Sequence, residues 1–245
     1  MGLIRAELIA VGSELVHFSR RDTNSDWLTA RLLGLGIRVG SRLAIEDDEE
    51  RIAREVSAAI ERSPVVLVSG GLGPTEDDRT RPGVARALGR PLVCDEKVVR
   101  ALQRGFAARG YTFLPEQTRQ AERPEGAVWL PNPLGTAPGF FVELERGLLF
   151  ALPGVPAELR RMFDEEVASR VKSRFGVRGI AHRVFRVSRK TESSLDAAIR
   201  DLYDEPGLTV TVLARSTGLE VLATVETDDR AESTRRLDAL DRRRV

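Results

Sequence analysis

Cysteine is almost missing from this chain of 245 residues: Cys94 stands alone. That excludes an internal disulfide and a thiolate metal site, and it suits a reducing cytoplasm. Histidine is nearly as scarce, with His17 and His182 only. Neither occupies a motif position that would make it the base for Ser13 as a covalent nucleophile. Net charge is small as well. The 38 Lys and Arg offset 37 Asp and Glu to leave +1, so no global field favours nucleic acid or an anionic membrane. No apolar run is long enough to span a bilayer, and the N-terminus lacks the basic-then-apolar pattern of a secretion signal. The one local excess of charge, Arg242-Arg243-Arg244, reads as the end of a helix.

What is present is an ordinary core-forming composition, 42% hydrophobic and 31% charged, long enough for one large domain and a small one. The chain turns on Val65–Thr80, VVLVSGGLGPTEDDRT. A β-branched run that stops at Gly70-Gly71 predicts a buried parallel strand. Glycines at its carboxyl end let backbone N–H groups approach an anion closely. Asp77 and Asp78 follow, and they can serve as acid/base groups or as ligands for a hard divalent ion. Thr80 can cap the next helix. A glycine turn alone is weak evidence, because many such loops merely join a strand to a helix; glycines together with paired acids are more specific.

Other stretches repeat the arrangement. An apolar segment ends at Gly12-Ser13-Glu14. Asp22-Thr23-Asn24-Ser25 precedes a helical pattern, and for Asn24 helix capping is the simpler reading. Ile37–Ile45 alternates as a half-buried strand and ends in Glu46-Asp47-Asp48, after which Ile52, Val56 and Ile60 define a helix. Asp95 caps a further helix carrying Val98, Val99, Leu102 and Phe106. Asn132–Gly139 (NPLGTAPG) forms a second turn-rich loop, with a hairpin of Phe140–Leu144 and Leu148–Leu152 behind it. Pro156 opens a helix through Leu159, Met162, Phe163, Val167 and Val171. Arg119-Gln120 has no evident local purpose. This alternation predicts an α/β domain, a doubly wound three-layer sheet over residues 1–175, with ligands at the strands' carboxyl ends. The pattern βαββα over 176–245 predicts a small α+β module with few chemical groups.

Taken in order, Gly12-Ser13-Glu14-Leu15, Asp22-Thr23-Asn24, Gly70–Thr80, Asn132–Gly139 and Leu152–Glu158 (LPGVPAE) resemble the competence/damage-inducible protein A (CinA) family. The resemblance is strong from Leu3 to about Phe175. It implies a molybdopterin-binding fold of the MogA/MoaB type, followed by a looser likeness to a KH-type middle module. The nicotinamide mononucleotide deamidase domain of longer family members has no counterpart in these residues, so that activity is not assigned here and a separate deamidase is a candidate partner.

For the first domain the resemblance implies metal-dependent hydrolysis of ADP-ribose to AMP and ribose 5-phosphate, with molybdopterin adenylylation, or binding of a pterin or nucleotide without catalysis, as alternatives. By motif position Asp47 and Asp78 are the catalytic acids, and Asp47, Asp77 and Asp78 would hold Mg²⁺, Mn²⁺ or Co²⁺. Which acid ligates and which acts as base stays open. Gly12, Ser13, Glu14, Asn24, Gly70, Gly71, Gly73, Pro74, Thr75, Gly135 and Thr136 would bind the substrate, the two threonines serving equally well as turn formers. A homodimer is implied. Two departures stand out: His17-Phe18 replaces a Leu-Gly pair, and Arg189-Lys190-Thr191-Glu192-Ser193 replaces a glycine-rich turn that KH domains use to clamp a nucleic-acid backbone. Nucleic-acid binding is therefore not expected.

Overall fold

The structure is a computed structural model and describes residues 4–176, 179–227 and 229–242. Of the arginine run read as a helix end, Arg243 and Arg244 lie outside the described residues. Two compact units emerge. The chain up to Ala30 together with Arg38–Phe175 forms the first, and Arg31–Ile37 with the chain from Gly176 forms the second.

The first unit begins with β1 (Arg5–Val11), a short α1 (Ser13–His17), α2 (Thr23–Gly34, up to Ala30 in this unit), β2 (Arg38–Ile45), α3 (Glu49–Arg62), β3 (Val65–Ser69) and α4 (Thr80–Ala87). It continues with β4 (Leu92–Cys94), α5 (Glu96–Ala108), β5 (Glu122–Pro124), β6 (Val128–Leu130), β7 (Gly139–Leu144), β8 (Gly147–Leu152), α6 (Pro156–Met162) and α7 (Ala168–Phe175). The main sheet runs β2-β1-β3-β8-β7-β6. Its first four strands are parallel and the β7 and β6 edge is antiparallel. β3 and β8 are buried along their whole length, which is why they read as unbroken apolar runs: both faces are covered.

One face packs on α3 through Ile52 and Val56 against Val66, Val68, Phe140 and Val142. The alternate residues Phe141 and Phe150 stack on the opposite face, where Arg170 of α7 lies over the Phe141 ring at 4.7 Å. These are the three layers expected. The apolar side expected for the helix from Pro156 is buried at Leu159, Met162, Phe163, Val167 and Val171, although a π turn over Phe163–Val167 separates α6 from α7. β4 and β5 form a separate two-stranded sheet that no sequence signal announced. The chain leaves β1 for β2 on one side and reaches β3 on the other. The order therefore reverses beside β1, and the strands' carboxyl ends open a crevice there.

The second unit holds β9 (Gly179–Val187), α8 (Glu192–Ala198), β10 (Leu208–Arg215), β11 (Gly218–Thr227) and α9 (Arg230–Asp241). This is the expected βαββα order, with an antiparallel sheet β10-β11-β9 around Leu195, Ile199, Val221, Ala223 and Leu237. At the turn where the family resemblance implies glycine, Arg189 adopts φ 63°. The backbone there is left-handed without the residue best suited to it. No helix among the described residues is long and apolar enough to cross a membrane.

Candidate functional site

The carboxyl ends of β1, β2, β3 and β8 open onto one cavity of about 620 Å³. Of the residues expected to form the site, Gly12, Glu14, Asn24, Asp47, Gly70, Gly71, Gly73, Pro74, Asp77, Asp78 and Thr136 line it. Ser13, Thr75 and Gly135 do not.

The glycine loop is built by close approach. Gly70 sits at φ 95° and Gly71 at φ 64°. A Cβ at Gly70 would collide with the Val11 carbonyl oxygen, and one at Gly71 with the Thr80 hydroxyl. Thr80 does not cap α4, contrary to the sequence reading. Its buried hydroxyl instead donates to the Gly70 carbonyl at 2.7 Å and fastens the loop to the helix. Backbone donors expected to hold a diphosphate are partly committed. Gly70 N–H donates to Leu152 O at 3.0 Å, Gly12 N–H to Ile45 O at 2.9 Å, and Gly135 N–H to Asn132 Oδ1 at 3.0 Å. Those glycines shape the loops and do not present donors. The amides of Gly71, Leu72 and Gly73 have no hydrogen-bond acceptor among the described residues; amides left so are able to bind an anion.

Asp47 and Asp78 are each held by a different partner, Ser13 and Thr75. Asp47 Oδ2 accepts from Ser13 N at 2.7 Å and from Ser13 Oγ at 3.0 Å, tying the end of β2 to α1. Ser13 is thus a support for Asp47. Asp78 Oδ2 accepts from Thr75 N at 2.9 Å and Thr75 Oγ1 at 2.6 Å. The exposed Asp77 carboxyl competes with Asp78 for the single Thr75 hydroxyl proton and, with its own amide, is held below its usual range. Among the described residues no group of three or more His, Cys, Asp or Glu is close enough to cage a metal ion. The Asp47, Asp77 and Asp78 set is therefore not preassembled. The donor chemistry fits Mg²⁺ in another manner: that ion is commonly held by one or two carboxylates together with ligand phosphates.

Asn24 is not the cap of α2. Asp22 Oδ1 accepts from Ser25 N at 2.9 Å, while Asn24 Nδ2 reaches across to Gly154 O at 2.8 Å. Three supporting residues escaped the sequence reading. Asn132 bridges its own loop to α6, donating to Glu158 Oε2 at 2.7 Å. Arg81, 3% exposed, donates to Leu72 O at 2.7 Å, Pro138 O at 3.2 Å and Gln120 O at 3.5 Å. One guanidinium thereby pins the glycine loop to the second loop. Burial pushes its pKa down to about 10, against the opposing pull of Asp78 and Glu122, so it stays charged at neutral pH. Gln120 lies beneath Thr136, and Arg119 pairs with Glu76 across the surface. These contacts give the Arg119-Gln120 pair the purpose its sequence lacked. Arg81, between Thr80 and Pro82 at a helix start, carried no signal of burial.

A family model described as "probable molybdopterin binding domain" matches residues 7–173. A CinA-like protein of Solibacter usitatus is 39% identical over 93% of this chain, and one of Acidobacterium capsulatum is 37% identical over 96%. The chain spans only 56% and 58% of those two relatives. The crystal structure of the protein CinA from Thermoplasma acidophilum superposes with a TM-score of 0.64 at 30% identity, covering 68% of this chain and 98% of that one. The chain belongs to the molybdopterin-binding-domain family and, within it, to the CinA-like proteins.

Proposed function

We propose that the first unit is a hydrolase that cleaves the phosphoanhydride of a nucleotide diphosphate, ADP-ribose in particular, with a divalent ion. The observation that carries this reading is the convergence of the open Gly71–Gly73 amides with Asp47 and Asp78 on one cavity at the sheet's switch point. Its walls bring six carboxylates (Glu14, Asp22, Asp47, Asp77, Asp78, Glu158) against Arg20 and Arg21. A diphosphate entering such walls meets net repulsion, which a divalent cation would offset. Asp47 and Asp78 would hold that ion, alongside the phosphate oxygens. When bound, it would neutralise phosphate charge and acidify a water.

In this mechanism the loop amides bind the phosphate oxygens, and Arg20 and Arg21 on the same wall offset phosphate charge. Asp47 and Asp78 share the tasks of orienting water and taking its proton. Water adds to one phosphorus, the bridging oxygen leaves with the other phosphate, and AMP and ribose 5-phosphate result. The family's name for this domain also makes molybdopterin a candidate ligand. Product analysis with ADP-ribose, and with ATP plus molybdopterin, in Mg²⁺, Mn²⁺ or Co²⁺ separates hydrolase from adenylyltransferase, and no product from either would leave a binding module. The family resemblance further supports a homodimer, which a monomeric mass by light scattering at micromolar concentration would refute.

A further inference from the structure

Among the described residues the second unit's sheet ends in two edge strands, and they are built differently. β9 forms one edge and carries His182, Arg183 and Arg186. β10 forms the other, and its residues 208–214 (LTVTVLA) hold no charge and no proline. Its pairing with β11 keeps one register over Leu208–Arg215, without a bulge. Charges, prolines and bulges are the usual guards against a further strand adding to an edge. This edge lacks all three. It is also open. Gly207 O accepts from Glu226 N at 2.8 Å, so the bonds to β11 fall at 207 and at every second residue after it. The N–H and C=O groups of Val210, Val212 and Ala214 therefore point away from β11. Among the described residues no strand lies on that side, and those amides have no acceptor on another element. The side chains of Val210 and Val212 pack against the unit's core but stay only partly buried.

We propose that β10 pairs antiparallel with β10 of a second copy of this chain, joining the two small sheets into one. This rests on the homodimer reading and gives that dimer its surface. Three features favour a second copy over an unrelated strand. A two-fold axis normal to the sheet leaves Val210 and Val212 of both copies on the same, helix-covered face, so that each copy covers the exposure the other retains. The strand interior is neutral, so self-pairing sets no like charges opposite each other there. Its ends are complementary: Asp204 and Glu205 precede the strand and Arg215 closes it. Antiparallel pairing brings Arg215, more than half exposed beside Glu220, towards the acidic start of the other copy's strand. Parallel pairing would set arginine beside arginine.

The test is hydrogen exchange of the full chain over a concentration series, with the mass measured by light scattering at each point. We expect the Val210, Val212 and Ala214 amides to gain protection as the dimer forms. Thr211 is exposed on the other face of the strand. Thr211→Lys should weaken self-association about 10- to 100-fold, because it sets two lysines against each other across the axis. Its melting midpoint should match the parent's at dilutions where both proteins are monomeric. Mixing Thr211→Lys with Thr211→Glu should restore dimers, now of mixed composition. A dimeric mass with the three amides exchanging freely, or with both variants self-associating as the parent does, would overturn the inference and keep the homodimer. A monomeric mass at every concentration would overturn both. Hydrolysis of ADP-ribose, assayed on the same samples, stands or falls independently of either result.

Discussion

Asp78 and Thr75 close a turn on each other: the Thr75 amide and hydroxyl both donate to Asp78 Oδ2, at 2.9 and 2.6 Å. The turn sets the carboxylate beside Gly73, where a Cβ would run into it. Asp78→Asn retains a carbonyl oxygen able to accept from the same amide, so the turn should survive while the charge goes. If Asp78 only complemented a helix terminus, the change would cost about 0.3–1 kcal/mol and leave activity intact. We expect turnover of ADP-ribose to fall roughly a hundredfold or more, the scale for losing a positioned charge or base. Turnover at the unaltered rate would move the chemistry to Asp47 or Glu14.

Arg81 should matter to both stability and activity. Replacing it with Met removes a buried cation but orphans the carbonyls of Leu72 and Pro138. Urea unfolding should show a loss of about 2–4 kcal/mol. Activity should fall at temperatures where the variant is still folded, because the two loops are no longer pinned. A variant as stable as the parent would mean the pin is dispensable.

Glu7 tests the end of the sheet away from the site. Burial pushes its carboxyl up, but hydrogen bonds from Ser41, Arg62 and Ser63 together outweigh this and hold it below 4.5. A lowered pKa in the folded state contributes stability that is complete above the unfolded value and lost as pH falls through the folded one. Glu7→Gln should therefore cost about 1–3 kcal/mol at neutral pH. Melting curves across a pH series should show the gap narrowing as pH drops below 4.5; a gap independent of pH would contradict the assignment.

Arg189 stands at φ 63° without being glycine. The left-handed conformation costs an L-residue about 1–2 kcal/mol, part of which glycine returns as unfolded-state entropy. Arg189→Gly should stabilise the second unit by roughly 0.5–1 kcal/mol, read as a raised melting midpoint. A lowered midpoint would mean that the arginine side chain contributes more than the turn costs.

Much of the fold was legible because each element carries its own period or boundary. β3 ends where Gly70 begins, α3 starts behind Asp48, whose side chain accepts from Arg51 N at 2.7 Å, and α5 starts behind Asp95. Local chemistry also misled. Asn24 looks like a cap because Asn next to a helix start usually caps, yet Asp22 takes that task and frees Asn24 to reach Gly154, distant in sequence. Thr80 misled for the same reason.

What the sequence by itself determined is the order of the main-sheet strands and the helices packed on them, the glycine loops and the acids that follow them, since all depend on residues within a few positions of one another. Only the tertiary structure decided which loop amides remain open, which are spent on Leu152, Ile45 and Asn132, that Arg81 is buried behind the loops, and that Gln120 lines the cavity. The physical reason is that burying a polar group requires a partner, and these partners come from chain segments that meet only when the sheet brings its strand ends together.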